Sequence, residues 1–197
     1  MKRICVFAAS SNKVDQKYTD LAYELGRLMA VNGLGLVFGA GDVGLMGACV
    51  RGVKDHSGHA IGVIPEKLNL PGIAYTGCDE LIVTPTMHER KSRMEALSDG
   101  FVALPGGFGT LEELLETITL KQLGYHAHPI VILDQDGFYQ NLIAQFETCI
   151  GERFADKAWR ALYFCARDPQ QAIDYLTSYE TEAMPDKIKD ALKKYER

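Results

Sequence analysis

The stretch GFVALPGGFGTLEELLE (residues 100–116) passes from an apolar run through a glycine-rich turn into an amphipathic segment. The apolar run predicts a buried strand over residues 100–104, and the segment after the turn predicts a helix over residues 109–123. Thr110 and Glu113 have the spacing of a capping box, in which both side chains satisfy free amide groups of the first helical turn. The stretch therefore predicts a strand–turn–helix unit. It leaves open whether Glu113 only caps the helix or also takes part in chemistry.

Short apolar runs alternate with longer amphipathic segments along the whole chain, which is the pattern of parallel strands connected by helices. Strands are predicted at residues 3–8, 34–38, 60–64, 80–84, 100–104, 129–133 and 161–165. Helices are predicted at residues 15–31, 43–56, 86–98, 109–123 and 138–151, and from residue 169 onward. The expected fold class is α/β, with a single doubly wound, Rossmann-like, mostly parallel sheet and helices on both faces. Residues 1–180 make up this domain, and residues 181–197 are expected to be a tail, either helical or frayed.

Composition limits the classes of partner. The chain of 197 residues has a formal net charge of −5, which disfavours bulk binding to nucleic acid or to an anionic membrane. No apolar segment approaches the roughly 20 residues that a membrane helix needs. The five cysteines are scattered and lack a C-x-x-C pair, as expected of free thiols in a reducing compartment, and the histidines lack metal-ligand spacing. We therefore expect a soluble, cytoplasmic protein with no bound metal and no nucleic-acid or membrane partner.

Three turns rich in glycine or serine follow predicted strands, at residues 8–13, 39–47 and 105–110. In a doubly wound sheet, ligands bind beyond the carboxyl ends of the strands, at the point where the strand order reverses. Glycine lets backbone N–H groups approach an anion closely, and helix N-termini favour negative charge. Turns of this kind at one edge of a sheet therefore suggest a ligand that carries a phosphate.

The turn GAGDVG (residues 39–44) also matches the G-x-G-x-x-G fingerprint of dinucleotide-binding proteins. That fingerprint requires an acidic residue about 20 positions further on. Glu66 meets the requirement poorly because it comes late and follows Pro65, and the turn follows the second strand rather than the first. An NAD(P)-dependent dehydrogenase is therefore disfavoured. Two interpretations stay open: glycines needed only for packing, or a phosphate or ribose contact in another nucleotide-binding fold.

Two cations at a helix start are candidates for a binding site. Arg90 and Lys91 fall in the first turn of the helix predicted at residues 86–98, where the helix dipole disfavours positive charge. The simplest interpretation of the two cations is a solvated helix start with ordinary salt bridges. An anionic ligand or a carboxylate partner would explain the two cations better.

The helix predicted at residues 109–123 carries apolar residues at helical spacing, which predict its buried face. These residues are Leu111, Leu114, Leu115 and Ile118. Glu113 would then lie nearly opposite the core. Leu120 is close to Glu113 in helical angle, which suggests that a second subunit partly covers the outer face of this helix.

The motifs MHERK (residues 87–91) and PGGFGTLEE (residues 105–113) occur in this order. With Met94, they match the signature R-K-x-x-M followed by P-G-G-x-G-T-x-x-E, and on these residues the chain resembles the Lonely guy family. Members of that family are phosphoribohydrolases that release cytokinin bases from their riboside 5′-monophosphates. The resemblance covers nearly the whole chain, from CVFAASS (residues 5–11) to QLGYHAHPIVILDQDGFY (residues 122–139). Relatives are often labelled lysine decarboxylases, but this chain is short for a pyridoxal phosphate enzyme and has no evident Schiff-base lysine.

The resemblance implies roles for individual residues. Arg90 and Glu113 are the implied catalytic pair. The implied substrate-binding residues are Ser11, Gly41, Met87, Lys91, Gly106, Gly107, Phe108, Gly109, Thr110, Glu112 and Thr119. The resemblance implies that the protein needs no cofactor. It also implies that the protein is a homodimer. The chain departs from the family pattern at Ala9 and Ala40, where the family usually has glycine, and each alanine is expected to add a methyl group where the backbone approaches the ligand.

The function implied is hydrolysis of the N-glycosidic bond of AMP, or of an N6-substituted cytokinin riboside 5′-monophosphate, to the free base and ribose 5-phosphate. Such bonds break through an oxocarbenium-like transition state, so Glu113 would stabilise the developing positive charge and activate water. Arg90 would orient Glu113 and the nucleotide, and the amides of residues 105–110 would bind the phosphate. The alternative is a sensor or carrier that binds the nucleotide in the same pocket without turnover.

Overall fold

A computed structural model describes residues 1–181 of the chain. The prediction of a helical or frayed tail therefore lies almost entirely outside the described residues. Within residues 1–181, no helix combines the length and the apolar character needed to cross a membrane.

In the described part of the chain, seven strands form one sheet in the order β4-β3-β2-β1-β5-β6-β7, and every neighbouring pair is parallel. The strands are β1 (Arg3–Phe7), β2 (Gly35–Phe38), β3 (Ala60–Pro65), β4 (Glu80–Thr84), β5 (Gly100–Ala103), β6 (Ile130–Leu133) and β7 (Phe164–Ala166). This confirms the predicted α/β fold class. The strand predicted at residues 161–165 is displaced, because Lys157–Leu162 forms a 3₁₀ helix that buries Trp159 and Leu162 before β7 begins.

Within residues 1–181, six helices cover the two faces of the sheet. They are α1 (Gln16–Val31), α2 (Gly44–Asp55), α3 (Met87–Ala96), α4 (Phe108–Gln122), α5 (Gln140–Gly151) and α6 (Pro169–Ser178). Alternate residues of each strand point to opposite faces, so Ile4 and Val6 join a core with α1, α2 and α6. Cys5 and Phe7 join a second core with α3, α4 and α5. The near-continuous apolar runs of the strands follow from this burial on both sides.

The order of the strands places the predicted turns together. β1 lies between β2 and β5, and the chain crosses over from edge strand β4 to β5, so the strand order reverses beside β1. The turns that follow β1, β2 and β5 therefore meet at one edge of the sheet. This edge is the topological switch point, where doubly wound proteins bind ligands.

Ala40 lies in the turn after β2 with φ 54°, in the left-handed region that a residue with a side chain rarely adopts. The residue is fully buried. Its methyl group packs over the backbone of β3, because a Cβ built on Gly62 would come within 2.8 Å of the Ala40 Cβ. The expectation that the Ala40 methyl enters the ligand site is therefore wrong: the methyl fills the space that Gly62 leaves.

This packing gives a test of the fold. We expect Gly62→Ala to destabilise the protein by about 1–3 kcal/mol, the usual cost of overpacking a core. In the Ala40→Gly background the same substitution is expected to cost less, because the clashing methyl group is gone. A double-mutant cycle by urea unfolding measures the coupling. Equal costs in the two backgrounds would show that the contacts of Gly62 with Leu81 and Cys78 dominate instead.

Candidate active site

A cleft of about 570 Å³ lies at the switch-point edge of the sheet, between the three turns and the start of α3. Most of the residues predicted from the sequence line it. They are Arg90, Glu113, Ser11, Gly41, Met87, Lys91, Gly107, Phe108, Gly109, Thr110 and Glu112. Ala9 also lines the cleft, as expected for a departure from the family pattern at the binding site.

Helix α3 starts with a side-chain cap, and its first turn lines the cleft. Thr86 is the N-cap residue, and its hydroxyl oxygen accepts a hydrogen bond from the Glu89 N–H at 3.1 Å. The Thr86 hydroxyl also lies 3.0 Å from Glu89 Oε1. A Thr-x-x-Glu cap therefore does occur in this chain, but on α3 rather than on α4.

Helix α4 starts differently, and the capping box predicted at Thr110 is wrong. The helix begins at Phe108, with Gly107 as N-cap, and no side chain of residues 1–181 caps it. Thr110 lies inside the first turn, buried against Gly106, and Glu113 bonds to Arg90 instead of reaching back to the cap. Gly107 and Gly109 have open space where a Cβ would be. The first turn of α4 therefore presents uncapped amides to the cleft, which is a ready site for an anion.

The start of α2, in contrast, is closed. The Gly44 N–H donates to Asn12 Oδ1 at 2.7 Å, and the Leu45 N–H donates to the Ala9 carbonyl at 2.9 Å. Gly44 adopts φ +63°, and a Cβ there would overlap the turn after β1. The G-x-G-x-x-G match therefore joins two turns of the protein to each other and leaves no free helix N-terminus for a pyrophosphate. The dehydrogenase interpretation fails on this geometry.

Arg90 and Glu113 meet across the floor of the cleft. Arg90 Nη1 donates to Glu113 Oε1 at 2.8 Å, and Arg90 Nε donates to the Val63 carbonyl of β3 at 3.1 Å. The side chains are only 10% and 13% exposed. A Cβ on Gly39 would overlap the Arg90 guanidinium, so the glycine after β2 makes room for this side chain. The ion pair is thus held by α3, α4, β3 and the turn after β2.

Burial sets the acidity of Glu113. Removal from water raises the pKa of the Glu113 carboxyl above its ordinary value, and the charge and hydrogen bond of Arg90 only partly oppose this effect. A carboxyl group with a raised pKa beside a fixed guanidinium, in a cleft, is typical of a catalytic group.

Lys91 lies beside this pair and bridges two carboxylates of α4. Its Nζ contacts Glu112 and lies 2.8 Å from Glu116 Oε2. Burial alone would lower the pKa of Lys91, but the hydrogen bonds to the two carboxylates raise it overall. Carboxylate partners on α4 therefore account for both cations in the first turn of α3, as one of the sequence-based expectations proposed.

The buried face of α4 differs from the prediction. Its buried residues are Thr110, Leu114, Thr117 and Lys121. Leu115 is 41% exposed, and Leu111 and Ile118 are only partly buried. The helix is therefore rotated from the predicted orientation, which turns Glu113 inward toward Arg90 rather than away from the core.

Two predicted substrate residues do not lie in the cleft of this chain. Gly106 packs against Thr110 beneath the turn. Thr119 lies on the exposed outer face of α4 with Leu115, and its hydroxyl bonds to the Leu115 carbonyl at 2.7 Å. Thr119 stands six residues beyond Glu113, so the helical rotation carries it to a different side.

Sequence reasoning missed several residues of the site. Gly39 leaves room for Arg90 and Asn12 ties two turns together, and both roles depend on contacts between distant segments that a sequence does not reveal. The apolar part of the cleft lining was also missed; it includes Met46, Ile64, Leu68 and Ile73. The exposed leucine and isoleucine in the loop after β3 were the available signal.

The fold and the site together define a class: a Rossmann-like α/β protein with a cleft at its switch point, an uncapped helix start in that cleft and a buried carboxylate–guanidinium pair beside it. A family model described as "Possible lysine decarboxylase" matches residues 46–176. A probable cytokinin riboside 5′-monophosphate phosphoribohydrolase of Oryza sativa subsp. japonica is 41% identical over 90% of this chain and 84% of that protein. A cytokinin riboside 5′-monophosphate phosphoribohydrolase of Arabidopsis thaliana is 39% identical over the same shares. The chain therefore belongs to the Lonely guy family.

Solved structures agree with the fold. The molybdenum cofactor binding protein of Rippkaea orientalis superposes with a TM-score of 0.69 at 24% identity, over 90% of this chain and 97% of that one. A molybdenum cofactor carrier protein of Chlamydomonas reinhardtii gives a TM-score of 0.68 at 24% identity, over 89% of this chain and 95% of that one. At this level of identity the likeness shows the fold alone.

The raised pKa of Glu113 gives a pH prediction for stability. Because the folded protein holds the Glu113 proton more tightly than the unfolded chain does, this group stabilises the fold most below pH 4.5, its ordinary pKa. The contribution is lost as pH rises through the raised pKa. Glu113→Gln removes the titration, so we expect the stability of the wild type relative to this variant to fall as pH rises above 4.5. Urea unfolding of both proteins from pH 4 to pH 8 measures it; a difference that grows with pH would contradict the assignment.

Proposed function

We propose that this chain hydrolyses the N-glycosidic bond of a nucleoside 5′-monophosphate, with AMP or an N6-substituted cytokinin riboside 5′-monophosphate as substrate. The observation that carries the proposal is the Arg90–Glu113 pair, 2.8 Å apart, in the same cleft as an uncapped helix N-terminus. The named relatives are phosphoribohydrolases, which supports the reaction class. All five cysteines carry free thiols, which supports a reducing, cytoplasmic setting.

The 5′-phosphate is assigned to the first turn of α4. The turn offers backbone N–H groups, the positive end of a helix dipole and open space at Gly107 and Gly109. Lys91 adds a positive charge on the neighbouring helix. Its contacts with Glu112 and Glu116 hold that charge at the cleft before a substrate arrives.

Glu113 is assigned to the anomeric carbon. As the bond to the base breaks, positive charge develops on the ribose ring, and the carboxylate stabilises it. Water adds to C1′ and gives up a proton, while the bonding electron pair leaves with the base, which takes up a proton. Arg90 keeps Glu113 in place and favours its ionised form against the effect of burial.

The apolar lining of the cleft favours an N6-substituted base. The lining includes Met46, Ile64, Leu68, Ile73 and Met87, and the last three of these are partly exposed. Exposed apolar side chains that line a cleft gain free energy when an apolar ligand group covers them. A prenyl-type substituent on the adenine has this character, and the unsubstituted amino group of AMP does not.

We also propose that the chain forms a homodimer through the outer face of α4. Phe108 is 93% exposed and Leu115 is 41% exposed, and they form one shallow, mainly apolar surface with Leu111, Thr119 and Leu120, which also includes Glu112 and Glu116. Exposed apolar side chains on one face of a helix are typical of an interface.

Glu113→Gln tests the catalytic assignment. The variant keeps the shape of the side chain but lacks the negative charge, so we expect release of base and ribose 5-phosphate to fall roughly 10²–10⁴-fold. Glu152→Gln, an exposed residue just after α5, is the matched control and is expected to retain wild-type turnover. Chromatography of products from AMP and from isopentenyladenosine monophosphate, run in parallel, measures both. Binding of AMP by the wild type with no ribose 5-phosphate formed would favour the carrier or sensor instead.

Ile73→Ser tests the substrate class. Loss of one buried aliphatic contact, worth about 1–2 kcal/mol, is expected to lower kcat/KM for isopentenyladenosine monophosphate roughly tenfold and to change that for AMP much less. Leu70→Ser, in the same loop and 51% exposed, is the control, because Leu70 does not line the cleft. An equal loss of kcat/KM on both substrates would remove the support for an N6 substituent against the apolar lining of the cleft.

Leu115→Glu tests the dimer. A charge on this surface is expected to convert the protein to a monomer in size-exclusion chromatography with light scattering. Val31→Glu, which also replaces an exposed apolar residue but lies at the end of α1 on the other face of the sheet, is expected to leave the dimer intact. A monomeric wild type, or a variant that remains a dimer, would contradict this interface.

A further inference from the structure

The charged side chains of the cleft form two pairs of opposite charge. Within residues 1–181, the charged residues that line the cleft are Arg90, Lys91, Glu112 and Glu113. Arg90 is paired with Glu113, and Lys91 is paired with Glu112. The formal charge of the lining is therefore zero. A phosphate monoester carries close to two negative charges near neutral pH, so it meets a net positive charge in this cleft only if one of the pairs opens.

The two pairs differ in how readily water can replace one partner. The Glu113 side chain is only 13% exposed, and Arg90 also donates to the Val63 carbonyl. Separating this pair would leave a buried charge without a partner, which is strongly unfavourable. The Glu112 side chain is 55% exposed, so its carboxylate can move into water at little cost. The pair of Lys91 and Glu112 is therefore the one that can open.

Lys91 keeps a carboxylate partner when Glu112 moves away. The Lys91 Nζ lies 2.8 Å from Glu116 Oε2, and Glu116 follows Glu112 by one turn of α4. Glu112 lines the cleft, whereas Glu116 lines a small hollow between α3 and α4. Opening the pair with Glu112 thus leaves the Lys91 ammonium group held by Glu116, with its charge available to a ligand in the cleft.

We propose that Glu112 is an internal competitor for the 5′-phosphate. In the free protein its carboxylate occupies the Lys91 ammonium group, and the bound phosphate takes its place. This inference rests on the proposed function, which assigns the phosphate to the first turn of α4 beside Lys91. Glu112 then limits the affinity of the cleft for phosphate esters instead of serving as a ligand of the substrate.

The exchange has a consequence for turnover. Displacement of Glu112 offsets part of the free energy of phosphate binding. The phosphate is present in the substrate, in the transition state and in ribose 5-phosphate alike, so weaker phosphate binding does not by itself slow the chemical step. It does favour release of ribose 5-phosphate from the cleft.

Glu112→Gln tests the exchange, and Glu116→Gln is the matched control. Each variant removes one negative charge from a partner of Lys91 and keeps the length of the side chain. We expect Glu112→Gln to bind ribose 5-phosphate roughly three- to tenfold more tightly than the wild type, because an exposed ion pair no longer competes with the phosphate. Glu116→Gln is expected to change the dissociation constant by less than about twofold, because Glu112 still competes. Isothermal titration calorimetry in a phosphate-free buffer of fixed ionic strength measures both.

Two further measurements separate competition at Lys91 from a general change of charge. Adenosine, which has no phosphate, is expected to bind the wild type and Glu112→Gln equally well. In the Lys91→Met background, Glu112→Gln is expected to lose most of its gain in affinity for ribose 5-phosphate, and this double-mutant cycle assigns the gain to the pair. Circular dichroism and size-exclusion chromatography check the fold and the oligomeric state of each variant, since Glu112 and Glu116 also lie on the outer surface of α4.

Four results would overturn the proposal. Unchanged affinity in Glu112→Gln would show that the carboxylate does not compete, and equal tightening in Glu112→Gln and Glu116→Gln would show only a general effect of charge. Weaker binding by Glu112→Gln would show that Glu112 is a ligand of the substrate. Binding of ribose 5-phosphate by none of the three proteins would show that the cleft holds no phosphate site.

The proposed function has its own readout, which is release of base from AMP by the wild type. Turnover of AMP without tighter binding of ribose 5-phosphate by Glu112→Gln would refute the competition and leave the function standing. Tighter binding by Glu112→Gln in a protein that does not turn over AMP would refute the function and leave the competition standing.

Discussion

The ion pair between Arg90 and Glu113 is the interaction on which the site depends. Both groups are taken almost wholly out of water, which costs free energy that their attraction must offset. Burial raises the pKa of the Glu113 carboxyl, and the Arg90 guanidinium beside it opposes this effect. Loss of one partner from such a pair leaves an uncompensated buried charge, at a typical cost of 3–5 kcal/mol. The pair therefore constrains α3, α4 and β3 at once, through the hydrogen bond from Arg90 to Val63.

The two glycine-rich turns at the switch point have different roles. The turn after β2 is structural: its helix start is tied to Asn12 and Ala9, and Gly39 leaves room for the Arg90 guanidinium. The turn after β5 is open, since within the described part of the chain no side chain caps α4 and no atom fills the space beside Gly107. Two glycine-rich stretches with similar letters thus differ in which helix N-terminus remains free. The free one determines where an anion can bind.

The sequence predicted the fold well because the strands are buried on both faces. Runs such as ICVF and LVF need no long-range information to be recognised, and their alternation with amphipathic segments leads directly to a parallel sheet. It also indicated that an anionic ligand or a carboxylate partner would explain the first-turn cations of α3, since the helix dipole disfavours them. The identity of those partners, Glu113 for Arg90 and two carboxylates for Lys91, depended on the packing of α3 against α4.

The errors on α4 have one physical origin. Helical periodicity identifies an apolar face, but it does not say which surface that face will meet. Leu115 is exposed, whereas Thr117 and Lys121 are buried, so the apolar pattern of α4 predicted the wrong orientation and with it the outward position of Glu113. The prediction of a capping box was wrong for a related reason, because the Glu113 carboxylate accepts a hydrogen bond from the Arg90 guanidinium of another helix. Predictions from local sequence patterns are wrong where a contact with a distant segment is stronger than the local one.

The most direct measurement of the central claim is a crystal structure of the Glu113→Gln variant with AMP bound. We expect the 5′-phosphate on the first-turn amides of α4, and ribose C1′ facing the side chain at position 113 with Arg90 still in place beside it. A phosphate bound elsewhere, or a ribose turned away from position 113, would contradict the account.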